Sequence, residues 1–340
     1  MKIAVIADVH LSRYGQDRIE ETSNLPERLH SIKNTLHEVA YYCIKNEIPE
    51  VVIAGDLLHS KSLIYAIAQE LMFDFFQKYQ KLHFTVIDGN HDLASKGENA
   101  ISSLRSLENV KNVDWISKIP IYQTSGVMFV PYYYNMVDTI KGNSARILIS
   151  HFGLNEGILN SGISIVADLS LADLIGKYEL VILGHYHKPQ EIIRDDIKLY
   201  YVGSPIQLDW GEKGDEKRFL VVDTDTLDVK SIPTTAYKKH IEIDLTAENK
   251  QEVFDLAEKE KNNGNYIKII KKEAVDLDDI EGNFRIVDKT EQDITNRGIT
   301  SSMSQADKHK KYLEIKEISK KDLPDYEKTG LEIIDACEGE

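Results

Sequence analysis

The chain has 340 residues, 42% hydrophobic and 29% charged, which suits one large domain with additions, or two domains, of an ordinary globular protein. Lys and Arg total 41 against 56 Asp and Glu; the net charge of −15 excludes a general polyanion binder, though not a nuclease, because bound divalent cations would invert the local field. Cys43 and Cys337 make no disulfide framework, the run from Ile3 to Ala7 is stopped by Asp8 too early for a signal peptide, and no apolar stretch approaches the roughly 20 residues of a membrane helix, so a cytoplasmic protein without membrane contact is expected.

Lys2 to Ala7 is a near-continuous apolar run, typical of a strand covered on both faces, and it delivers Asp8-Val9-His10. In an extended segment Asp8 and His10 would point the same way. Leu11 to Pro26 is polar and reads as a loop. A helix is predicted from Glu27 to Asn46, with Leu29, Ile32, Leu36, Val39, Ala40 and Cys43 on one stripe. His30 and His37 flank that stripe and are expected in structural roles. Val51 to Ala54 is a second buried strand, ending in Gly55-Asp56-Leu57-Leu58-His59. Ser62 is expected to cap a helix running to about Lys78, its face built from Leu63, Ile67, Leu71 and Phe75. That face reads as core, or as a helix-pairing surface. Phe84 to Ile87 is a third strand, and it hands over Asp88-Gly89-Asn90-His91-Asp92.

A short helix is expected near 99–107, then strands at 113–116 and 127–130. Tyr132, Tyr133 and Tyr134 read as packing beside a strand end, or as a cleft wall. Arg146 to Ser150 is a strand before His151, and a helix containing Leu169, Leu171 and Leu174 is expected after it. Leu180 to Leu183 delivers Gly184-His185-Tyr186-His187. Shorter strands follow at 199–202 and 219–223. Beyond Pro233 the character changes: alternation at Ile241 and Ile243, a charged helix over about 247–261, a turn at Asn263-Gly264-Asn265, and strands at 266–270 and 284–287. This predicts a small α+β domain over 236–290 after a first domain of 1–235. The segment 291–340 is a polar tail with helices expected near 308–321 and 331–337, suited to docking a partner or only partly ordered.

Asp8, His10, Asp56, Asn90, His151, His185 and His187 all follow apolar strands, where ligand sites of α/β sheets gather. Of 11 histidines, six lie in these motifs. Alone, Asp8-Val9-His10 and Gly55-Asp56 are weak signals, Gly89 to Asp92 could be a polar turn, and His185-Tyr186-His187 is moderately specific; all five segments in order point to a site. Seven oxygen and nitrogen donors exceed the needs of one ion and suit two ions about 3.5–4 Å apart, bridged by a carboxylate. Asp56 is the bridging candidate. Asp8, His10 and His187 would then serve one ion, and Asn90, His151 and His185 the other. Imidazole and carboxylate without thiolate suit manganese, iron or zinc more than calcium. Such a pair generates a nucleophile near neutral pH and stabilises an in-line displacement at phosphorus. His91, beside a ligand, could protonate the departing oxygen.

At these residues the sequence resembles the calcineurin-like metallophosphoesterases, whose signature is D-x-H, GD, GNH[DE], a later His and GHxH. Here these are Asp8 to His10, Gly55-Asp56, Gly89 to Asp92, His151 and Gly184 to His187. The implied fold is a four-layer α/β sandwich, two mixed β-sheets flanked by helices. A narrower resemblance is to DNA double-strand-break repair nucleases of the SbcD type, including those of T-even phages. It rests on His59 three residues after Asp56, on Tyr201-Val202-Gly203-Ser204-Pro205, and on the α+β unit where that family has its DNA-capping domain. The resemblance implies catalytic roles for His91 and His59. It also implies two metal ions, Mn2+ foremost with Mg2+, Fe2+ or Zn2+ possible, and exonuclease and single-strand endonuclease activity. Its partners would be DNA, an SMC-like coiled-coil ATPase held by the tail, and a second copy of the chain held by the helices near 27–46 and 62–78. Ser12 stands where that family has Gly. Two other readings are a small-molecule phosphodiesterase or phosphatase, which shares every metal ligand, and a noncatalytic scaffold for the ATPase, against which the intact ligand set argues.

Overall fold

The computed structural model describes all residues except 16, 96, 124–125, 159–161, 163–165, 195, 278–283, 290–302, 316–322, 325, 327 and 331–340. The chain divides into two compact units, Met1–Ile241 and Glu242–Glu340. The first holds two six-stranded mixed sheets. One runs Val229–Pro233, Arg218–Asp223, Lys2–Ile6, Glu50–Ala54, His83–Ile87, Val113–Ile116 from edge to edge, its last four strands parallel. The other runs Gln190–Arg194, Ile197–Tyr201, Leu180–Gly184, Ile147–His151, Val127–Val130, Ile121–Tyr122, with four parallel strands at its centre.

Alternation along each strand sends side chains to opposite faces, and both faces are covered. Ile3, Val5, Val52 and Ile87 of one sheet pack with Phe129, Ile147, Ile149, Leu180 and Ile182 of the other. The residues between them, Ala4, Ile6, Val51, Ile53, Phe84 and Val86, pack outward on the helices Glu27–Lys45 and Ala66–Lys78. The second sheet's outer face meets the short helix Met136–Gly142. Helix, sheet, sheet and helix are the four expected layers. The predicted stripe of the first helix, Leu29 through Cys43, is buried throughout. His30 meets Ser23 and His37 meets Tyr79, both structural contacts.

Some local expectations change. Ser62 caps nothing: the second helix starts at Ala66, and Leu63 is 56% exposed. The Ser60 hydroxyl instead accepts from the Leu63 N–H, so the stretch after Asp56 closes as a turn. The helix expected around Leu169 to Leu174 is one 3-10 turn, Leu171–Asp173, closed by a Ser170–Asp173 capping box. The helix near 99–107 is likewise a 3-10 turn, Arg105–Asn109. Strands Gln190–Arg194 and Val229–Pro233 were not anticipated. Tyr132 and Tyr133 pack against the outer core, and Tyr134 is exposed.

In the second unit, strand His240–Leu245 runs into a sheet with Tyr266–Lys271 and Arg285–Asp288, the last two parallel. Helix Lys250–Asn262 covers it through Val253 and Ala257. Helix Gln305–Ile315 follows. The helix expected at Leu331 to Cys337 lies outside the described residues. Among the described residues no helix is long and apolar enough to cross a membrane.

Candidate metal centre

Five strand ends converge where the parallel strands of both sheets finish. Asp8 and His10 follow Lys2–Ile6, Asp56 follows Glu50–Ala54, and Asn90 and His91 follow His83–Ile87. His151 ends Ile147–His151, and His185 and His187 follow Leu180–Gly184. The backbone does not stay extended there. Asp8, His10, Asp56 and His185 take positive φ of 53°, 52°, 52° and 97°. Left-handed backbone at a non-glycine costs about 1–3 kcal/mol and persists only where surroundings enforce it. Asp8 and His10 thus reach one site through a tight turn, not through the extended alternation expected.

All nine predicted site residues are brought together. His10 Nε2 lies 3.0 Å from His187 Nε2 and 3.7 Å from Asp56 Oδ2. Asp56 Oδ2 lies 3.2 Å from His151 Nε2, and Asn90 Oδ1 lies 3.1 Å from that nitrogen and 2.9 Å from His185 Nδ1. Asp8 Oδ1 is 4.0 Å from His151 Nε2, and the His185 N–H donates to both Asp8 oxygens at 3.0 and 3.1 Å. Asp56 therefore stands between the His10 and His151 sides. Its other oxygen accepts the His91 N–H at 2.8 Å. His59 Nδ1 is 3.2 Å from His10 Nδ1, and the His59 and His91 rings stack at 5.6 Å and 15°.

Two glycines are required by this closeness. Gly55 has φ 87°, and a Cβ there would lie 2.2 Å from His151 Nδ1. A Cβ on Gly89 would lie 2.2 Å from Asp56 Oδ1.

The donor set fits cations. His151 Nδ1 faces the Ala54 carbonyl at 2.9 Å, and His187 Nδ1 faces Glu212 Oε1 at 2.8 Å. Each acceptor claims the Nδ1 proton, so each neutral ring turns an Nε2 lone pair into the site, that of His151 toward Asp56 and Asp8 and that of His187 toward His10, with Asp8 close by. Lone pairs facing carboxylates need a proton or a metal between them. Burial opposes charge on His151, yet Asp56 outweighs it and holds the imidazolium up to about 9. Burial likewise opposes the Asp56 carboxylate, but His151 outweighs it and holds it well below the usual range. Asp8 is pushed up by burial despite His151 and His187. Among the described residues, three groups have ligand atoms all within 4.8 Å of one another: Asp8, His10 and His187; Asp8, Asp56 and His151; and His10, His59 and His91.

Two supporting residues escaped the sequence reading. Asp92 is fully buried and accepts N–H groups from Leu57, Leu58 and Gly89, tying the Asp56 turn to the Asn90 turn. Its place in the GNHD motif was visible, but its role was not. Glu212, on the 3-10 turn Trp210–Glu212, holds His187 and follows no parallel strand.

The chain is 25% identical over 210 residues to a candidate phosphoesterase, 244L, of Invertebrate iridescent virus 6, covering 56% of this chain and 71% of that one. It is 25% identical over 251 residues to exonuclease subunit 1 of Enterobacteria phage T4, covering 68% of each. A solved dimetal phosphatase from Danio rerio aligns with 69% of this chain and 99% of its own, at 9% identity and a TM-score of 0.44. The family model for calcineurin-like phosphoesterases matches residues 1–189, which carry all nine residues of the site. That family works through dimetal centres on phosphoesters, and the donors gathered here are of the kind such a centre takes. By this match the chain belongs to the calcineurin-like phosphoesterase family.

Proposed function

We propose that this chain is a manganese-dependent DNA nuclease subunit, an exonuclease on duplex ends and an endonuclease on single strands. It acts with a coiled-coil, SMC-like ATPase in double-strand-break repair, recombination or end processing. The observation that carries the reading is the similarity to the phage T4 exonuclease subunit, whose 251 aligned residues exceed the 189 of the phosphoesterase domain. In this reading residues 1–235 are the nuclease domain, 236–290 cap the DNA, and 291–340 hold the ATPase. The helices near 27–46 and 62–78 pair two copies, and the complex works in the cytoplasm.

Asp8, His10 and His187 would hold one cation and Asn90, His151 and His185 the other, with Asp56 shared between them. When bound, the two cations supply a strong nucleophile near neutral pH and neutralise charge on the phosphoryl group. The chain's own groups do the rest. His91 Nδ1 faces the His59 carbonyl at 2.7 Å, which leaves Nε2 directed into the site, where it protonates the departing oxygen. His59, stacked on His91 and in contact with His10, positions the phosphate. The net charge of −15 leaves attraction of DNA to the cations and to the partner's surface.

The test is cleavage of linear duplex DNA with Mn2+, with and without the ATPase, comparing wild type with His91→Ala at matched metal content. Manganese-dependent cleavage that falls about 100-fold or more in the variant supports the reading, as loss of a general acid should. No DNA cleavage alongside brisk turnover of a nitrophenyl phosphate diester sinks it in favour of a small-molecule phosphodiesterase. Absence of bound metal would point to a scaffold.

A further inference from the structure

We propose that Glu212, backed by Lys217, is the positioning residue that makes His187 a ligand through Nε2, and so controls the affinity of one of the two cations. The inference rests on the reading of His187 as a ligand. His187 meets Glu212 Oε1 through Nδ1 at 2.8 Å. A carboxylate on the far nitrogen of an imidazole fixes its tautomer, its orientation and its basicity toward a metal. Glu212 is itself immobilised. It is 3% exposed, and its Oε2 takes Lys217 Nζ at 2.7 Å, the Ser204 hydroxyl at 2.9 Å and the Leu208 N–H at 3.1 Å.

Lys217, 1% exposed, does a second job. Its Nζ also donates to the His187 carbonyl at 2.9 Å and reaches Asp215 at 3.4 Å. The Ser204 N–H donates to the same His187 carbonyl at 3.1 Å. One buried ion pair thus grips both the ring and the main chain of His187. A buried ion pair adds little net stability over an apolar pair of similar volume. Holding His187 in place is what this one achieves. It also explains the Gly203-Ser204-Pro205 segment, whose serine bridges the two halves of the clamp.

The effect is local. His151, on the other side of Asp56, takes its orientation from the Ala54 carbonyl and owes nothing to Glu212. His10 has ring neighbours at His187 and His59 instead of a carboxylate clamp on its far nitrogen. Loss of Glu212 should weaken the cation shared by Asp8, His10 and His187 and spare the other.

Metal-stripped protein is titrated with Mn2+, free ion being read by electron paramagnetic resonance. The set is wild type, His187→Ala, Glu212→Leu/Lys217→Met and Glu212→Gln/Lys217→Met, folding being checked by circular dichroism. The Leu/Met pair should weaken one Mn2+ about 10–100-fold, the typical effect of losing such a partner, and leave the other within about twofold. The Gln/Met pair keeps an acceptor for His187 and should recover most of the loss. Unchanged binding in the Leu/Met pair, with one Mn2+ lost in His187→Ala, overturns the proposal and spares the ligand reading. Unchanged binding in His187→Ala overturns both. Equal weakening of both ions in the Leu/Met pair shows a structural role only and overturns the proposal. Nitrogen-15 spectra of zinc-loaded wild type decide without a variant: His187 should carry its proton on Nδ1, and ligation through Nδ1 would refute the clamp.

Discussion

Asp92→Ala is the substitution whose consequence follows most directly from the structure. The carboxylate is fully buried and accepts three main-chain N–H groups: Gly89 at 2.8 Å, Leu58 at 2.9 Å and Leu57 at 3.3 Å. Leu57 and Leu58 follow Asp56, and Gly89 precedes Asn90, so the carboxylate joins two metal-ligand turns. Alanine leaves three buried donors without an acceptor, at about 1–3 kcal/mol each, or about 3–9 kcal/mol in all. One term opposes this. Burial, with Asp56 and Asp88 nearby, pushes the Asp92 carboxyl well above its ordinary range, so its removal relieves some strain. The expected net loss is about 3–6 kcal/mol, a large share of the 5–15 kcal/mol that holds a domain folded. Asp92→Asn keeps one acceptor oxygen and should lose about half as much. The assay is urea unfolding at pH 7.5 with a chelator present, which separates the hydrogen bonds from metal binding. An alanine variant within 1 kcal/mol of wild type, with an unchanged denaturant slope, refutes the reasoning.

Gly89→Ala should displace the bridging carboxylate, since the new Cβ would lie 2.2 Å from Asp56 Oδ1 and 2.3 Å from its N. The expected cost is about 1–3 kcal/mol together with weaker binding of both Mn2+ ions in calorimetry, whereas Gly142→Ala, whose Cβ would meet nothing within 4 Å, should leave binding unchanged. Asp88 is raised by burial from 3.8 to about 6, so folding takes up a proton between those values. Its contribution is most favourable below that window and is lost as pH rises through it, by about 3 kcal/mol at 1.36 per unit. Asp88→Asn should therefore gain stability relative to wild type between pH 4 and pH 7.5 in urea titrations; a difference that stays flat would contradict that account.

Much of this site was legible along the chain because its chemistry is written at strand ends. Lys2–Ile6, Glu50–Ala54, His83–Ile87, Ile147–His151 and Leu180–Gly184 are short strands, mostly apolar and buried, and each leads within three residues to a polar side chain of the site. A buried strand cannot end on a charge without a partner, so the residues announce a shared site before any contact is known. The edge strands Gln190–Arg194 and Val229–Pro233 carry no such signal. Their half-exposed, mixed sequences become strands because Ile197–Tyr201 and Arg218–Asp223 offer unpaired edges. The start of the Ala66–Lys78 helix was displaced in the same way, by a Ser60 turn against which a plausible Ser62 cap could not compete. The left-handed turns at Asp8, His10, Asp56 and His185, and the supports from Asp92 and Glu212, belong wholly to the tertiary structure. Ligand identity is a property of residue type and local pattern. Ligand orientation depends on hydrogen bonds between groups 25 to 177 residues apart, which exist only once both sheets have packed.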